Sequence, residues 1–246
     1  MKLLVCMSVV PDTTTKITFT DNNTKFNTQG VQFIINPYDE LSLTKALEIA
    51  EKAGGTVTVA TVGLADAEPV IRKALAIGAN DAIRINAEPV EGMFVAQQLA
   101  EIIKNDNYDI VLTGRESIDY NGGQVTGILA ELLNWPSVNV CTKMELVDGK
   151  MHFERDIDGG RQSVIANLPV IASAQKDLCE PRIPNMKGIM AARTKPLTVK
   201  EPIQVELKAS YESFESPSAK QAVRMIDAEQ AGQLIDILKN EIKIIA

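Results

Sequence analysis

The sequence predicts an α/β fold: a mainly parallel sheet flanked by helices, with a β-hairpin excursion and an extended C-terminal arm. Three observations predict it. Over the first half of the chain, short apolar, β-branched runs alternate with segments of helical period, which is the pattern of strand–helix–strand units in a parallel sheet. After Val138 this gives way to strand-like stretches joined by Asp148-Gly149 and Asp158-Gly159-Gly160, and Asp-Gly between such stretches signals a hairpin. From residue 197 the chain becomes a Pro/Ser-rich spacer followed by one amphipathic stretch, beyond what a complete sheet domain needs.

The elements follow in order. Residues 3–10 are a continuous apolar run closed by Pro11-Asp12, as expected of a buried parallel strand. Residues 13–35, rich in Thr and Asn, read as a hairpin or a long loop. Asn36-Pro37-Tyr38-Asp39-Glu40 opens a helix: Asn36 can cap, Pro37 suits the first turn, and the acids favour the positive helix end. Leu43, Ala46, Leu47 and Ala50 give this helix its apolar stripe, and Gly54-Gly55 ends it. A strand at 56–62, a helix at 65–77 stopped by Gly78, a strand at 82–85 and a helix at 90–104 follow. A strand at 109–113 then leads to a helix at 124–133, ended by Trp135-Pro136. Further strands are expected at 139–147, 150–157, 162–165 and 170–174. Residues 175–196 read as a polar, basic, Pro-containing loop with room for one short helix. A final helix is expected at about 227–242, with Leu234, Ile235, Leu238 and Ile242 on its apolar face. The chain thus divides into an α/β domain over 1–199 and an arm over 200–246.

Composition excludes several functions. A net charge of −7 disfavours nonspecific contact with nucleic acid or anionic membrane. Aromatic residues are only 4%, too few for a base-stacking platform. No apolar run approaches the roughly 20 residues that span a bilayer, and the N-terminal stretch lacks the length and cleavage site of a secretory signal. Cys6, Cys141 and Cys179 are scattered and odd in number, which points to a reducing compartment, so a cytoplasmic location is expected. His152 is the only histidine and no Cys-x-x-Cys pair exists, which argues against zinc. A Ser-His-Asp triad would have to use His152, which sits in an alternating, strand-like segment and is expected to face solvent.

Chemistry is expected at three strand ends: Cys6-Met7-Ser8, Thr61-Val62-Gly63 and Thr113-Gly114-Arg115. The last runs into Glu116-Ser117-Ile118-Asp119-Tyr120-Asn121-Gly122-Gly123-Gln124-Val125-Thr126. Gly122 and Gly123 let the backbone approach a ligand, and the amides of 123–126 would open a helix whose N-terminus attracts phosphate. A phosphate cradle and a plain glycine-rich turn with an ordinary helix cap both fit this spacing. The segment is neither a Walker loop nor a dinucleotide fingerprint. The first strand does not lead into the Ser-Gly-Gly-x-Asp-Ser loop of ATP pyrophosphatases. Asp119 near Glu116 has no nucleophile or metal-ligand set around it, so the two read as solvated loop acids. Arg115 can be a phosphate or carboxylate fork or a surface arginine.

Seven segments in order carry a resemblance: Val10-Pro11-Asp12-Thr13, Asn36-Pro37-Tyr38-Asp39-Glu40, Ala74-Leu75-Ala76-Ile77-Gly78-Ala79, Gly114-Arg115-Glu116-Ser117-Ile118-Asp119, Glu154-Arg155-Asp156-Ile157-Asp158-Gly159-Gly160, Leu168-Pro169-Val170 and Glu180-Pro181-Arg182-Ile183-Pro184. Together they resemble the beta (small) subunit family of electron-transferring flavoproteins, including the nitrogen-fixation-associated relatives, from residue 2 to about 200. The resemblance implies an adenine-nucleotide alpha-hydrolase-like domain that pairs with a larger alpha subunit. FAD would lie mainly in that partner, near the shared interface. An adenine nucleotide would sit in this chain, either structural AMP or, in electron-bifurcating members, a second FAD that exchanges a hydride with NADH. The chain would then be an electron carrier between flavin dehydrogenases and a quinone-linked or other downstream oxidoreductase, rather than an enzyme with its own substrate. The alternatives are the FAD-binding half of an NADH-oxidising bifurcating flavoprotein and a stand-alone nucleotide-binding sensor.

The resemblance also implies residues. Cys6 matches a small residue touching adenine. Asn36, Thr61, Val62, Gly63 and Asp119 match other nucleotide contacts, and Gly122, Gly123, Gln124, Val125 and Thr126 match the phosphate loop. At that loop AMP-binding members usually have Asn-Gln-Thr. Gly123-Gln124-Val125 stands closer to the bifurcating pattern, whereas Tyr120-Asn121-Gly122 departs from the Gly-Asp-Thr that precedes it there. Residues 180–195, with Glu180, Pro181 and Arg182 at their start, match the loop that docks onto partner dehydrogenases. Met186 stands at its anchoring leucine, so the resemblance favours docking over a methionine that fills a gap under its own loop. The arm is expected to pack on the alpha subunit.

Overall fold

A computed structural model of the chain describes every residue except 219, 221 and 246. Its centre is a nine-stranded sheet built from β1 (Lys2–Cys6), β6 (Thr56–Val62), β7 (Asp81–Ile85), β8 (Ile110–Gly114), β9 (Ser137–Val147), β10 (Lys150–Ile157), β11 (Gly160–Asn167), β12 (Val170–Ala174) and β13 (Leu197–Lys200). The spatial order is β11-β10-β9-β12-β8-β1-β6-β7-β13. All pairings from β9 to β13 are parallel, and only β10 runs antiparallel to its neighbours. Helices α1 (Pro37–Ala53), α2 (Glu68–Ile77), α3 (Gly92–Lys104) and α4 (Val125–Leu133) connect the parallel strands.

Residue alternation decides which face each side chain enters. Leu3, Val5, Val57, Val59, Ile110 and Leu112 pack on one face with Leu43, Ala46, Leu47 and Ala50 of α1 and with Ile71 and Leu75 of α2. Leu4, Cys6, Ala60, Val62, Val111 and Ile171 fill the other face with Leu99, Ile103 and Leu129 of α3 and α4. Asp148 and Gly149 both adopt positive φ (50° and 76°), as a two-residue turn between β9 and β10 requires. His152 is half-buried, on the face of β10 opposite the buried Met151 and Phe153.

The structure departs from the expected elements in four places. The run 3–10 is two strands: β1 stops at Cys6, and β2 (Val9–Pro11) pairs antiparallel with β5 (Phe33–Ile35) in a separate ribbon. The break is made by Asp39, whose carboxylate takes the Ser8 amide at 2.7 Å and so removes it from the ladder. Asn36 sits at the N-cap position of α1, but its side chain does not cap; Nδ2 donates to the Glu116 carbonyl at 2.8 Å instead. The short edge strand β13 lies in what reads as spacer, where one exposed edge leaves little apolar pattern. The expected helix over 227–242 is a 3-10 turn (Ala228–Gln230), a short α6 (Gln233–Asp236) and a π turn (Ile237–Glu241). Leu234, Ile235 and Ile242 are exposed, and Ile237 is the buried residue of that stretch. Between β2 and β5 the chain forms a small hairpin, β3 (Phe19–Thr20) with β4 (Lys25–Phe26).

Candidate functional site

Sheet topology fixes where a ligand can sit. The chain builds β6 and β7 on one side of β1, then crosses to β8 on the other side. Such a switch point opens a crevice beyond the carboxyl ends of the strands. Cys6, Thr61, Val62 and Gly63 lie at or just past the ends of β1 and β6, and residues 115–124 leave the end of β8. These expected site residues therefore gather at one edge of the sheet.

Three buried polar groups hold that edge. Asp39, 3% exposed, accepts from the Ser8 amide and, through its other oxygen, from the Gly114 amide, each at 2.7 Å. It ties the end of β1 to the end of β8. Burial pushes its carboxyl up to about 7, against the opposing effect of these hydrogen bonds. Asn36 clasps the outgoing loop, donating to Glu116 and accepting from the Ile118 amide at 3.4 Å. Arg84, also buried, donates to the Gly63 carbonyl at 3.0 Å and to Asn86 at 2.8 Å while paired with Glu68 at 3.1 Å. It thereby fixes the turn after β6. Asp39 and Arg84 were not singled out as site residues. The signal for Asp39 was an acid just inside a helix start, which reads as ordinary macrodipole pairing.

The loop itself is closed on its neck. Ser117 and Gly122 exchange backbone hydrogen bonds at 3.2 and 3.3 Å, and the Ser117 hydroxyl donates to Asp119. Asp119 is thus exposed and engaged with its own loop. A β-carbon at Gly122 would run into the Tyr120 ring, and one at Gly123 would press on the Arg115 carbonyl at 3.2 Å. Gln124 occupies the N-cap position of α4 without a side-chain cap. Among the described residues, the amides of Gly123, Gln124, Val125 and Thr126 have no acceptor. Thr126 is buried with its hydroxyl 2.7 Å from that of Thr113, and Val125 is half-buried. The Gln124 side chain packs where a β-carbon on Gly92 would stand. In front of this loop lies a cleft of about 460 Å³, bounded by Glu91, Gly92, Tyr120, residues 121–124 and Tyr211.

Two side chains at this edge have a distinct chemical state. Burial holds the Cys6 thiol well above its ordinary range, so it stays protonated and inert. The Thr61 hydroxyl is buried at the end of β6 and has no partner among the described residues, as a group awaiting a ligand or water would be. Among those residues no cluster of His, Cys, Asp and Glu could hold a metal ion, and no helix is long and apolar enough to cross a membrane.

The loop at 180–195 is a second candidate surface. Its start is pinned to α1 by a bidentate Arg182–Glu51 pair at 2.6 and 2.7 Å. Its end is pinned to α2: Arg72 donates to the Ala192 and Lys195 carbonyls, and Lys195 Nζ donates to the Leu75 and Ala79 carbonyls at 2.9 and 2.5 Å. Between the pins, α5 (Met186–Ala192) is capped by Asn185, which accepts from the Gly188 amide at 2.8 Å. Met186 is 74% exposed and Ile183 and Met190 are exposed beside it. Met186 therefore does not fill a gap under its own loop. Lys195 and Arg182 are spent on anchoring, which leaves Lys187 and Arg193 as this loop's exposed bases.

A family model for the electron transfer flavoprotein domain matches residues 23–204. The chain is similar to the electron transfer flavoprotein subunit beta of Bacillus subtilis (strain 168), 36% identical with 100% of both chains covered. It is 37% identical to the protein of that name from Syntrophomonas wolfei, over 99% of this chain and 98% of that one. It is 29% identical to the mitochondrial subunit beta of Oryza sativa subsp. indica, over 100% of both. With the nine-stranded sheet and its switch-point crevice, these likenesses place the chain in the electron transfer flavoprotein beta subunit family.

Proposed function

We propose that the chain holds an adenine nucleotide at the switch-point edge and works as the beta subunit of a heterodimer whose alpha subunit carries FAD. The observation that carries the nucleotide assignment is the row of acceptor-free amides at 123–126 at a helix N-terminus, whose first two residues, Gly123 and Gln124, line an open cleft. Cys6, Asn36 and Thr61 to Gly63 supply a buried wall for adenine, with the Thr61 hydroxyl unpartnered there. Bound flavin supplies the one- and two-electron chemistry; the residues of this chain bind, orient and exclude water. In this reading the complex takes electrons from flavin dehydrogenases that dock on Met186 and its neighbours, passes them to a quinone-linked or other oxidoreductase, and resides in the cytoplasm. Residues 1–199 form the nucleotide-binding and docking unit, and the arm from 200 runs along this chain as far as Phe214 and packs on the alpha subunit beyond it.

Val125 favours a second reading. At the start of α4 it offers no hydroxyl to the extra oxygen of a phosphate monoester, whereas a phosphate diester, as in a second FAD, would not call for one. That reading makes the chain the flavin-binding half of a bifurcating flavoprotein. Purifying the chain with its alpha subunit and counting the released cofactors separates the two. One FAD with one AMP is the expected result, and two FAD would establish the second reading. A chain that stays monomeric beside its alpha subunit would refute both.

A further inference from the structure

Residues 208–214 of the arm have no regular secondary structure, yet they are held at both ends. On one side the Lys208 amide donates to Glu91 Oε1 at 2.7 Å. Just before it, Ile203 exchanges hydrogen bonds of 2.9 and 2.8 Å with the buried side chain of Gln98. On the other side the Phe214 amide donates to the Asn23 carbonyl at 2.7 Å. The Phe214 ring stacks on Phe19, with centroids 5.0 Å apart and planes 7° from parallel. Tyr211 leans on Phe214 at 5.4 Å. Between the two anchors, Ala209, Ser210 and Tyr211 form a wall of the cleft that faces residues 121–124.

We propose that residues 208–214 are a strap across the nucleotide cleft, with Tyr211 touching the bound nucleotide and the Phe19–Phe214 stack acting as the latch. The proposal rests on the assignment of an adenine nucleotide to this cleft. A hairpin with two residues per strand is not stable by itself, so β3 and β4 gain a partner from Phe214 and the arm gains an anchor from Phe19. A nucleotide with its phosphate on the 123–126 amides has α3 and the 120–124 loop on two sides and the strap on a third. Release then requires the strap to lift, so the stack sets a dissociation rate from outside the site.

The test is AMP release from the full-length chain. AMP is the half common to AMP and FAD, so the probe serves either cofactor. The chain is loaded with labelled AMP and loss of label is followed after dilution into unlabelled AMP. Phe19→Ala and Phe214→Ala, which do not line the cleft, should each speed release about two- to tenfold, the worth of one aromatic pair. Tyr211→Ala should do at least as much, and Tyr211→Phe, which keeps the ring, should stay near the wild-type rate. Tyr211 is exposed, so its variants keep the test decisive if loss of Phe19 or Phe214 prevents folding. Wild-type release rates in the alanine variants would overturn the strap and leave the site standing. A wild-type chain that takes up no AMP would overturn site and strap together.

Discussion

Asp39 shows how one buried side chain organises the candidate site. Each carboxylate oxygen accepts a backbone amide, from Ser8 and from Gly114, so the ends of β1 and β8 are joined through it. Asn cannot replace it: one oxygen becomes an NH2 that faces an N–H, and a buried donor left unpaired costs about 1–3 kcal/mol. Asp39→Asn should therefore lower stability by about that amount. The pH dependence has a definite sign. The folded carboxyl titrates at about 7, above its ordinary 3.8, because burial disfavours its charge. The folded state then binds the proton more tightly than the unfolded chain, so this contribution is fully present at low pH and is lost as pH rises through about 7. The stability gap between wild type and Asp39→Asn should shrink from pH 4 to pH 7, as urea titrations at each pH would read. A gap that widens over that range would contradict the account. Thr61 was legible as a strand-end residue from the run 56–62, whereas the apolar run that contains Cys6 continues to residue 10 and does not mark the stop of β1 at Cys6. The pairing of Asp39 with amides 31 and 75 residues away was not legible either, because a local pattern carries no information about which strands end side by side.

At the scale of elements, the proposed docking loop is a short helix held by two pins. The Arg182–Glu51 pair ties down its entry, and the Arg72 and Lys195 bonds to carbonyls tie down its exit, so α5 presents Met186 between two anchored ends. Burial at the exit holds the Lys195 ammonium below its ordinary value. Met186→Ala removes an exposed side chain and should change stability by no more than about 0.5 kcal/mol, where a core methionine would cost about 2–5 kcal/mol. The same variant should slow reduction by a partner dehydrogenase without loss of bound FAD, since an apolar anchor acts mainly on the dissociation rate. An unchanged reduction rate would remove the docking role. The sequence indicated a short helix in this loop but not which of its bases are free, since Lys195 looks the same in sequence whether it caps carbonyls or faces water. The final helix shows the opposite limit. Its apolar spacing is helical, yet Leu234, Ile235 and Ile242 stay exposed, and spacing without burial sustains only short turns.

At the scale of the molecule, the strand alternation was enough to read a parallel α/β sheet and the Asp-Gly turns were enough to read its hairpin extension. The strand order was not readable, because periodicity states that a strand is buried without stating beside which neighbour. That order matters for function, since it puts the chain crossing at β1 and opens the crevice where Cys6, Thr61 and the 115–126 segment meet. The central claim is that this crevice holds an adenine nucleotide with its phosphate on the amides of 123–126. The most direct measurement is the adenine nucleotide released per chain from the purified heterodimer, wild type against Gly123→Pro. Proline deletes one of the four amides and fixes φ beside the Arg115 carbonyl. The account predicts about one nucleotide per wild-type chain and a large loss in the variant, with alpha-subunit FAD retained. Full occupancy in Gly123→Pro, or a wild-type chain that releases no adenine nucleotide, would contradict it.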